Sequence, residues 1–150
     1  MLDAILQAYP WYEHPEGMKF VETARDAHRT VGHWLFVPGS FSSFHRVMNC
    51  EEVWTIHVGR LDLHVIDPAG AYRRCRLGLD LASGERPMAT VARGSWQAAE
   101  LPPEEPLAFG TNVCAPAFQF SELQLGRRRE MLASFPQHHE LIQRLTHPRG

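Results

Sequence analysis

Short segments in the middle of the chain alternate apolar and polar residues. Alternation with a period of two predicts β-strands that have one buried face. Turn residues such as Pro38-Gly39 and Asp67-Pro68-Ala69-Gly70 separate the segments. Many short, evenly spaced strands predict a β-sandwich or barrel, here of the jelly-roll type. The segments are residues 18–25, 32–37, 41–47, 52–58, 60–66, 71–77, 88–93, 95–101 and 107–116.

Apolar residues at helical spacing occur only near the two ends of the chain. Leu2, Ile5 and Leu6 predict a short amphipathic helix, which Pro10 ends. Residues 127–136 and 138–145 predict further short helices. No repeat or linker divides the sequence, so we expect an all-β fold with short terminal helices in a single domain, residues 1–150.

Composition and charge narrow the class of protein. The chain has 150 residues, 44% of them hydrophobic, which is enough for one core. A formal net charge of −2 predicts no nucleic-acid partner. The apolar runs are shorter than the ~20 residues of a membrane helix, so we expect no membrane partner. The N-terminus does not resemble a signal peptide, and three widely spaced cysteines favour reduced thiols in a cytoplasmic protein.

Candidate chemistry lies between Gly39 and Gly59. An inward His45 brings Ser43 and Val47 to the inner face with it, and an inward Glu52 brings Trp54 and Ile56. Neighbouring antiparallel strands can then place the imidazole and the carboxylate close together among apolar side chains. Such a pair is suited to general acid–base catalysis, and we predict His45 and Glu52 as the catalytic residues.

The same stretch resembles the first motif of the cupins, G-x5-H-x-H-x(3,4)-E-x6-G. Gly39, His45, Glu52 and Gly59 match it, whereas Val47 stands in place of the second histidine. Residues 92–97 resemble the second motif, with Gln97 in place of its histidine.

Further segments resemble the small Cupin_5-type cupins, whose biochemical function is unsettled. These segments are His14-Pro15-Glu16-Gly17, Glu22-Thr23, residues 43–47 and 52–54, Leu77-Gly78-Leu79-Asp80, Gly84-Glu85, Trp96-Gln97-Ala98-Ala99 and Val113-Cys114-Ala115-Pro116. The resemblance implies a cupin jelly-roll barrel (a double-stranded β-helix) similar to that of the deoxysugar epimerases. Met18, Val21 and Gln119 depart from the family pattern.

A divalent metal is one alternative, since metal-dependent cupins bind their ion through three histidines and a glutamate. Here the ligands would be His45, Glu52 and Gln97, holding Fe, Mn, Ni or Zn. An amide oxygen is a weak ligand for these ions and Val47 offers no donor, so the sequence favours a metal-free site.

Three functions therefore remain open. The favoured one is a metal-independent isomerase, epimerase or lyase acting on a sugar-like or keto/carboxylate molecule. A metal-dependent oxygenase or decarboxylase and a non-catalytic small-molecule binding module are the alternatives. We expect the ligand to lie in the barrel. The predicted substrate-binding residues are Gln97, Trp54, Glu22, Lys19, Phe36 and Phe118.

The resemblance also implies a homodimer, because cupins of this shape commonly pair their sheets. The N-terminal segment through Glu22 could then cross to the partner and help to cover its cavity.

Overall fold

The protein is described by a computed structural model of residues 1–148. Two antiparallel sheets pack face to face, which confirms the predicted all-β jelly roll. The first sheet has its strands in the order β1 (Tyr12–Glu13), β2 (Lys19–Arg25), β3 (Thr30–Phe36), β10 (Ala108–Ala115), β5 (Glu51–Gly59) and β8 (Met88–Val91). The second has the order β11 (Leu123–Leu125), β4 (Phe41–Val47), β9 (Trp96–Glu100), β6 (Leu61–Ile66) and β7 (Tyr72–Leu77).

The strands that the alternation predicts are present, and two further strands were not predicted. These are β1 and β11, with two and three residues. Segments of this length are too short to show a period of two, so the hydrophobic pattern does not reveal them.

The main core fills the space between the two sheets. Its largest side chains are Trp34, Trp54 and Phe36, which are fully buried. Trp34 packs against both of the other rings, at centroid distances of 5.5 Å to Phe36 and 5.6 Å to Trp54. Edge-to-face and tilted packing of this kind adds to the gain from burial, so these rings stabilise the core between the sheets.

A second core lies on the outer face of the five-stranded sheet. Helices α2 (Arg128–Ser134) and α3 (His139–Arg144) cover this face with Met131 and Ile142. Strands β4 and β6 are therefore buried on both faces. Phe44, on the outer face of β4, is as fully buried as its neighbour His45 on the inner face.

The remaining elements are short. Helix α1 (Leu2–Ala8) contains no buried residue. A hydrogen bond of 2.9 Å, from Trp11 Nε1 to the Ile5 carbonyl, joins this helix to the segment that follows it. Three 3₁₀ turns span Leu81–Ser83, Phe120–Glu122 and Pro136–His138. Within residues 1–148, no helix has both the length and the apolar character needed to cross a membrane.

Candidate functional site

A tight turn at residues 14–17 brings Glu16 into the barrel. The Gly17 N–H donates to the His14 carbonyl at 2.9 Å, and the Ser43 N–H donates to the Glu16 carbonyl at 2.8 Å. Gly17 has φ +120°, and a Cβ there would lie 2.5 Å from the Phe41 carbonyl oxygen. Glycine is therefore required for this turn to pack directly on β4.

His45 lies next to the Glu16 carboxyl and is fully buried. Its Nδ1 is 2.8 Å from the Ser43 carbonyl oxygen, which can only accept, so Nδ1 carries the hydrogen. Nε2 is 3.2 Å from Glu16 Oε1 but is not aligned with it as a hydrogen bond. Burial lowers the pKa of His45, although Glu52 and the Ser43 carbonyl act against it. Burial thus favours the neutral ring, in which Nε2 carries no hydrogen and lies near Glu16 without a hydrogen bond to it.

Glu16 is a buried carboxyl in the same cluster. Its Oε2 accepts a hydrogen bond of 2.8 Å from Ser42 Oγ. Burial raises the pKa of Glu16, whereas His14 and the Ser42 hydroxyl lower it in part. Burial also lowers the pKa of His14, whose Nδ1 accepts from the Glu16 N–H at 3.3 Å. Desolvation thus favours the uncharged forms of these groups.

Glu52 is the second buried carboxyl. It lies opposite Cys114 in the β5–β10 pairing, and the Cys114 thiol donates to Oε1 at 3.4 Å. Its Oε2 is buried and has no hydrogen-bond partner among the described residues. Burial raises the pKa of Glu52 to about 7, with His45 lowering it and Glu16 raising it further. This carboxyl can therefore release and take up a proton near neutral pH.

These groups adjoin a small cavity of about 30 Å³. Its wall includes the carboxyls of Glu16, Glu22 and Glu52, and the aromatic rings of Phe20 and Phe118. The volume is enough for ordered water but not for a sugar-sized molecule. A larger ligand therefore requires the side chains around the cavity to move.

The structure brings some of the predicted site residues together at this cavity. Glu52, Glu22 and Phe118 line it. His45 does not line it but lies behind Glu16, with which it is in contact. Any exchange of protons between His45 and a ligand would thus pass through a carboxyl.

Four other predicted residues lie outside the cavity wall. Trp54 and Gln97 bind one another, the indole Nε1 donating to the amide Oε1 at 2.8 Å, and both are buried. The Lys19 ammonium pairs with Glu13 at 2.6 Å. Phe36 belongs to the core between the sheets. Their predicted contacts with a substrate remain predictions.

The sequence reasoning missed Glu16 and its neighbour His14 as site residues. The signal was present in His14-Pro15-Glu16-Gly17, which carried the family resemblance but was given no chemical role. In the structure this motif forms the glycine turn that places the buried Glu16 carboxyl in the barrel. Asn112, which also lines the cavity, gave no comparable signal. Cys114, another lining residue, lies in Val113-Cys114-Ala115-Pro116, which carried the resemblance but was likewise given no chemical role.

The residues suggested as metal ligands do not fit a metal ion. Gln97 Oε1 accepts the Trp54 indole hydrogen, and Val47 supplies no donor atom. Within the described part of the chain, no group of three or more His, Cys, Asp or Glu side chains is arranged to hold a metal. The donor set of His45, Glu52 and Gln97 is therefore unsuited to a metal centre.

Solved structures share this fold. A protein from Shewanella oneidensis is 28% identical, with a TM-score of 0.90 over 97% of each chain. A hypothetical protein from Leishmania major is 24% identical, with a TM-score of 0.86 over 96% of each chain. The nucleoside dehydratase Pac13, from Streptomyces, is 13% identical, with a TM-score of 0.58 over 79% of this chain and 91% of its own. At that identity the likeness shows the fold alone, and no curated protein matches the chain.

The sequence comparison agrees with the fold. The model of the Cupin_5 family matches residues 3–126, which include the turn with Glu16 and both resembled motifs. The chain therefore belongs to the Cupin_5 (DUF985) family of the cupin superfamily.

Proposed function

We propose that this protein is a metal-independent enzyme that transfers protons on a small molecule, as an isomerase, an epimerase or a lyase. One observation carries the proposal. The Glu52 carboxyl lies in the cavity wall with one oxygen unpartnered among the described residues and a pKa of about 7. A general acid or base is most effective when its pKa lies near the working pH.

Glu16 supplies the second proton-transfer group. Burial favours its protonated form, while Ser42 holds one of its oxygens. Ionised Glu52 would accept a proton from a carbon next to a carbonyl, and protonated Glu16 would donate to the carbonyl oxygen or to a departing hydroxyl. Two carboxyls held in different protonation states can divide the acid and base roles in this way.

His45 takes a supporting role in this mechanism. Its Nε2 lies 3.2 Å from Glu16 Oε1, and the Ser43 carbonyl fixes which nitrogen carries the hydrogen. With the hydrogen on Nδ1, Nε2 faces Glu16 as an acceptor, so the neutral ring can take up the proton of Glu16 and give it back but supplies none of its own. Because His45 lies behind Glu16, we assign direct contact with the substrate to the two carboxyls, and to His45 the reversible uptake of the Glu16 proton.

Relatives of this fold support acid–base chemistry only by analogy. Pac13 is named as a nucleoside dehydratase, and removal of water requires both an acid and a base. Another cupin of similar fold is oxalate decarboxylase from Bacillus subtilis, at 14% identity. Since one fold serves many reactions, the choice between them rests on the carboxyl pair of this chain.

The experiment follows proton exchange in D₂O by NMR, with protein freed of metal by a chelator. The probes are reducing sugars and nucleosides, which offer acidic C–H groups and departing hydroxyls. We expect deuterium incorporation or loss of water with the wild-type protein. Glu52→Gln should slow the reaction by about 10²-fold or more. Glu51→Gln, which removes an exposed carboxylate next to it on β5, should not.

Two results would contradict the proposal. Activity that disappears with the chelator and returns with a divalent metal would favour the metal-dependent alternative. Binding of the probes without exchange or elimination would favour a non-catalytic binding module.

A further inference from the structure

The residues that line the cavity include three glutamates and one histidine, His14. Glu16, Glu22 and Glu52 contribute carboxyls to the wall, whereas no Lys or Arg among the described residues lines it. The Glu22 carboxylate is already paired with Arg25, through contacts of 2.7 and 2.9 Å. Within residues 1–148, the two deeper carboxyls have no such cation.

This arrangement is unfavourable for an anionic ligand. A carboxylate or phosphate that enters a buried space loses its hydration, and this loss must be offset by a cation or by several donors. Here no Lys or Arg among the described residues lines the cavity, and an anion would also hinder the ionisation of Glu16 and Glu52 beside it. Lys19, the one cation that the sequence predicted as a substrate contact, is bound to Glu13.

The unpartnered atoms indicate what the cavity lacks. Asn112 Oδ1 and Glu52 Oε2 are both buried without a hydrogen-bond partner among the described residues, and both residues line the cavity. Buried acceptors without partners are uncommon in folded proteins, because each leaves a desolvated polar atom uncompensated. A ligand with hydroxyl or N–H donors would satisfy them, and the Phe20 and Phe118 rings would contact its apolar face.

We propose that this cavity selects an uncharged small molecule rich in hydrogen-bond donors, such as a polyhydroxylated sugar or a nucleoside, and excludes carboxylates and phosphates. The inference rests on the proposed function insofar as the cavity is taken to be the substrate site. It removes carboxylate substrates from the set that the sequence left open.

The test uses Cys114, a cavity-wall thiol, as a reporter of which charges can enter. Iodoacetamide and iodoacetate are of similar size, but the first is neutral and the second anionic. Their relative rates at Cys114 are measured by mass spectrometry in the native protein and in the urea-unfolded chain. Cys75, which lies on β7 away from the cavity, is the internal control.

The measured quantity is the ratio of the iodoacetamide rate to the iodoacetate rate at Cys114. This ratio should be at least about tenfold higher in the native protein than in the unfolded chain. Cys75 should show no such increase. Glu52→Gln should reduce the preference at Cys114, since it removes one of the unpaired carboxyls. Equal preferences in the native and unfolded states would overturn the proposal. A preference for iodoacetate at native Cys114 would overturn it as well. Alkylation needs the thiolate, and the Cys50 hydrogen bond and burial raise the pKa of the Cys114 thiol, so both reagents are used at about pH 9 and the reaction is followed until Cys114 is modified.

A second measurement tests the part of the proposal that concerns donors. Asn112→Leu keeps the approximate shape of the side chain and removes the unpartnered acceptor, so the melting temperature of the free protein should rise by about 2–4 °C. A fall would show that Asn112 serves the fold rather than a ligand. Neither measurement involves turnover, so failure of the proposed catalysis and failure of this selectivity are separate results.

Discussion

Replacement of Glu52 by glutamine should change how stability depends on pH. The pKa of this carboxyl is raised from 4.5 to about 7 in the folded protein, chiefly by burial. The folded state therefore binds this proton more tightly than the unfolded chain does. The contribution of protonated Glu52 to the free energy of unfolding should be fully present below pH 4.5. It should decrease as the pH rises toward 7 and level off above that pH. One pKa unit corresponds to about 1.36 kcal/mol, so the loss between about pH 5 and pH 8 is roughly 2–3 kcal/mol.

The glutamine variant has no ionisable group at this position and escapes that loss. Urea unfolding of both proteins at about pH 5 and pH 8 gives the free energy of unfolding at each pH. The variant should gain about 2–3 kcal/mol relative to the wild type over this interval. Glu51→Gln, at an exposed neighbouring position, controls for the loss of a negative charge. A wild-type-to-variant difference that is the same at both pH values would show that burial does not raise the pKa of Glu52.

Three further predictions concern the framework of the site and its assembly. Gly17→Ala should destabilise the protein by about 1–3 kcal/mol more than Gly39→Ala. Both residues have positive φ, but of the two only Gly17 lies against a backbone carbonyl. Equal losses of the free energy of unfolding in urea would contradict this. Trp54→Phe should lower the free energy of unfolding by about 1–3 kcal/mol more than Trp34→Phe does. The Trp54 indole donates a hydrogen bond to Gln97, whereas the Trp34 indole has no partner among the described residues. Equal costs would show that this bond contributes little. We also expect a homodimer, so light scattering at micromolar concentration should give twice the chain mass, and a monomer would contradict it.

Much of the fold could be predicted from the sequence because its determinants are local. The alternation along β4 and β5 indicates which side chains enter the barrel, and it correctly predicted the burial of His45 and Glu52. The alternation did not predict that the outer face of β4 is buried as well. Phe44 is buried there by α2 and α3, which contact the sheet only in the folded protein.

The site itself depends on contacts between distant segments. Glu16 reaches β4 through a turn fixed by Gly17 and by the Ser43 N–H, a contact that no periodicity reveals. Gln97 was predicted as a ligand contact from its place in the second motif. That motif cannot show that the Trp54 indole, on the facing sheet, already binds the amide oxygen.

The pKa of Glu52 can be measured directly by a ¹³C NMR titration of the glutamate side-chain carboxyls, in which comparison of the wild type with Glu52→Gln assigns the Glu52 signal. We expect a signal that is absent from the variant and that titrates with a midpoint near pH 7. A Glu52 signal that titrates near the ordinary pKa of 4.5 would show instead that Glu52 is not the group that exchanges a proton at neutral pH, which would contradict the proposed mechanism.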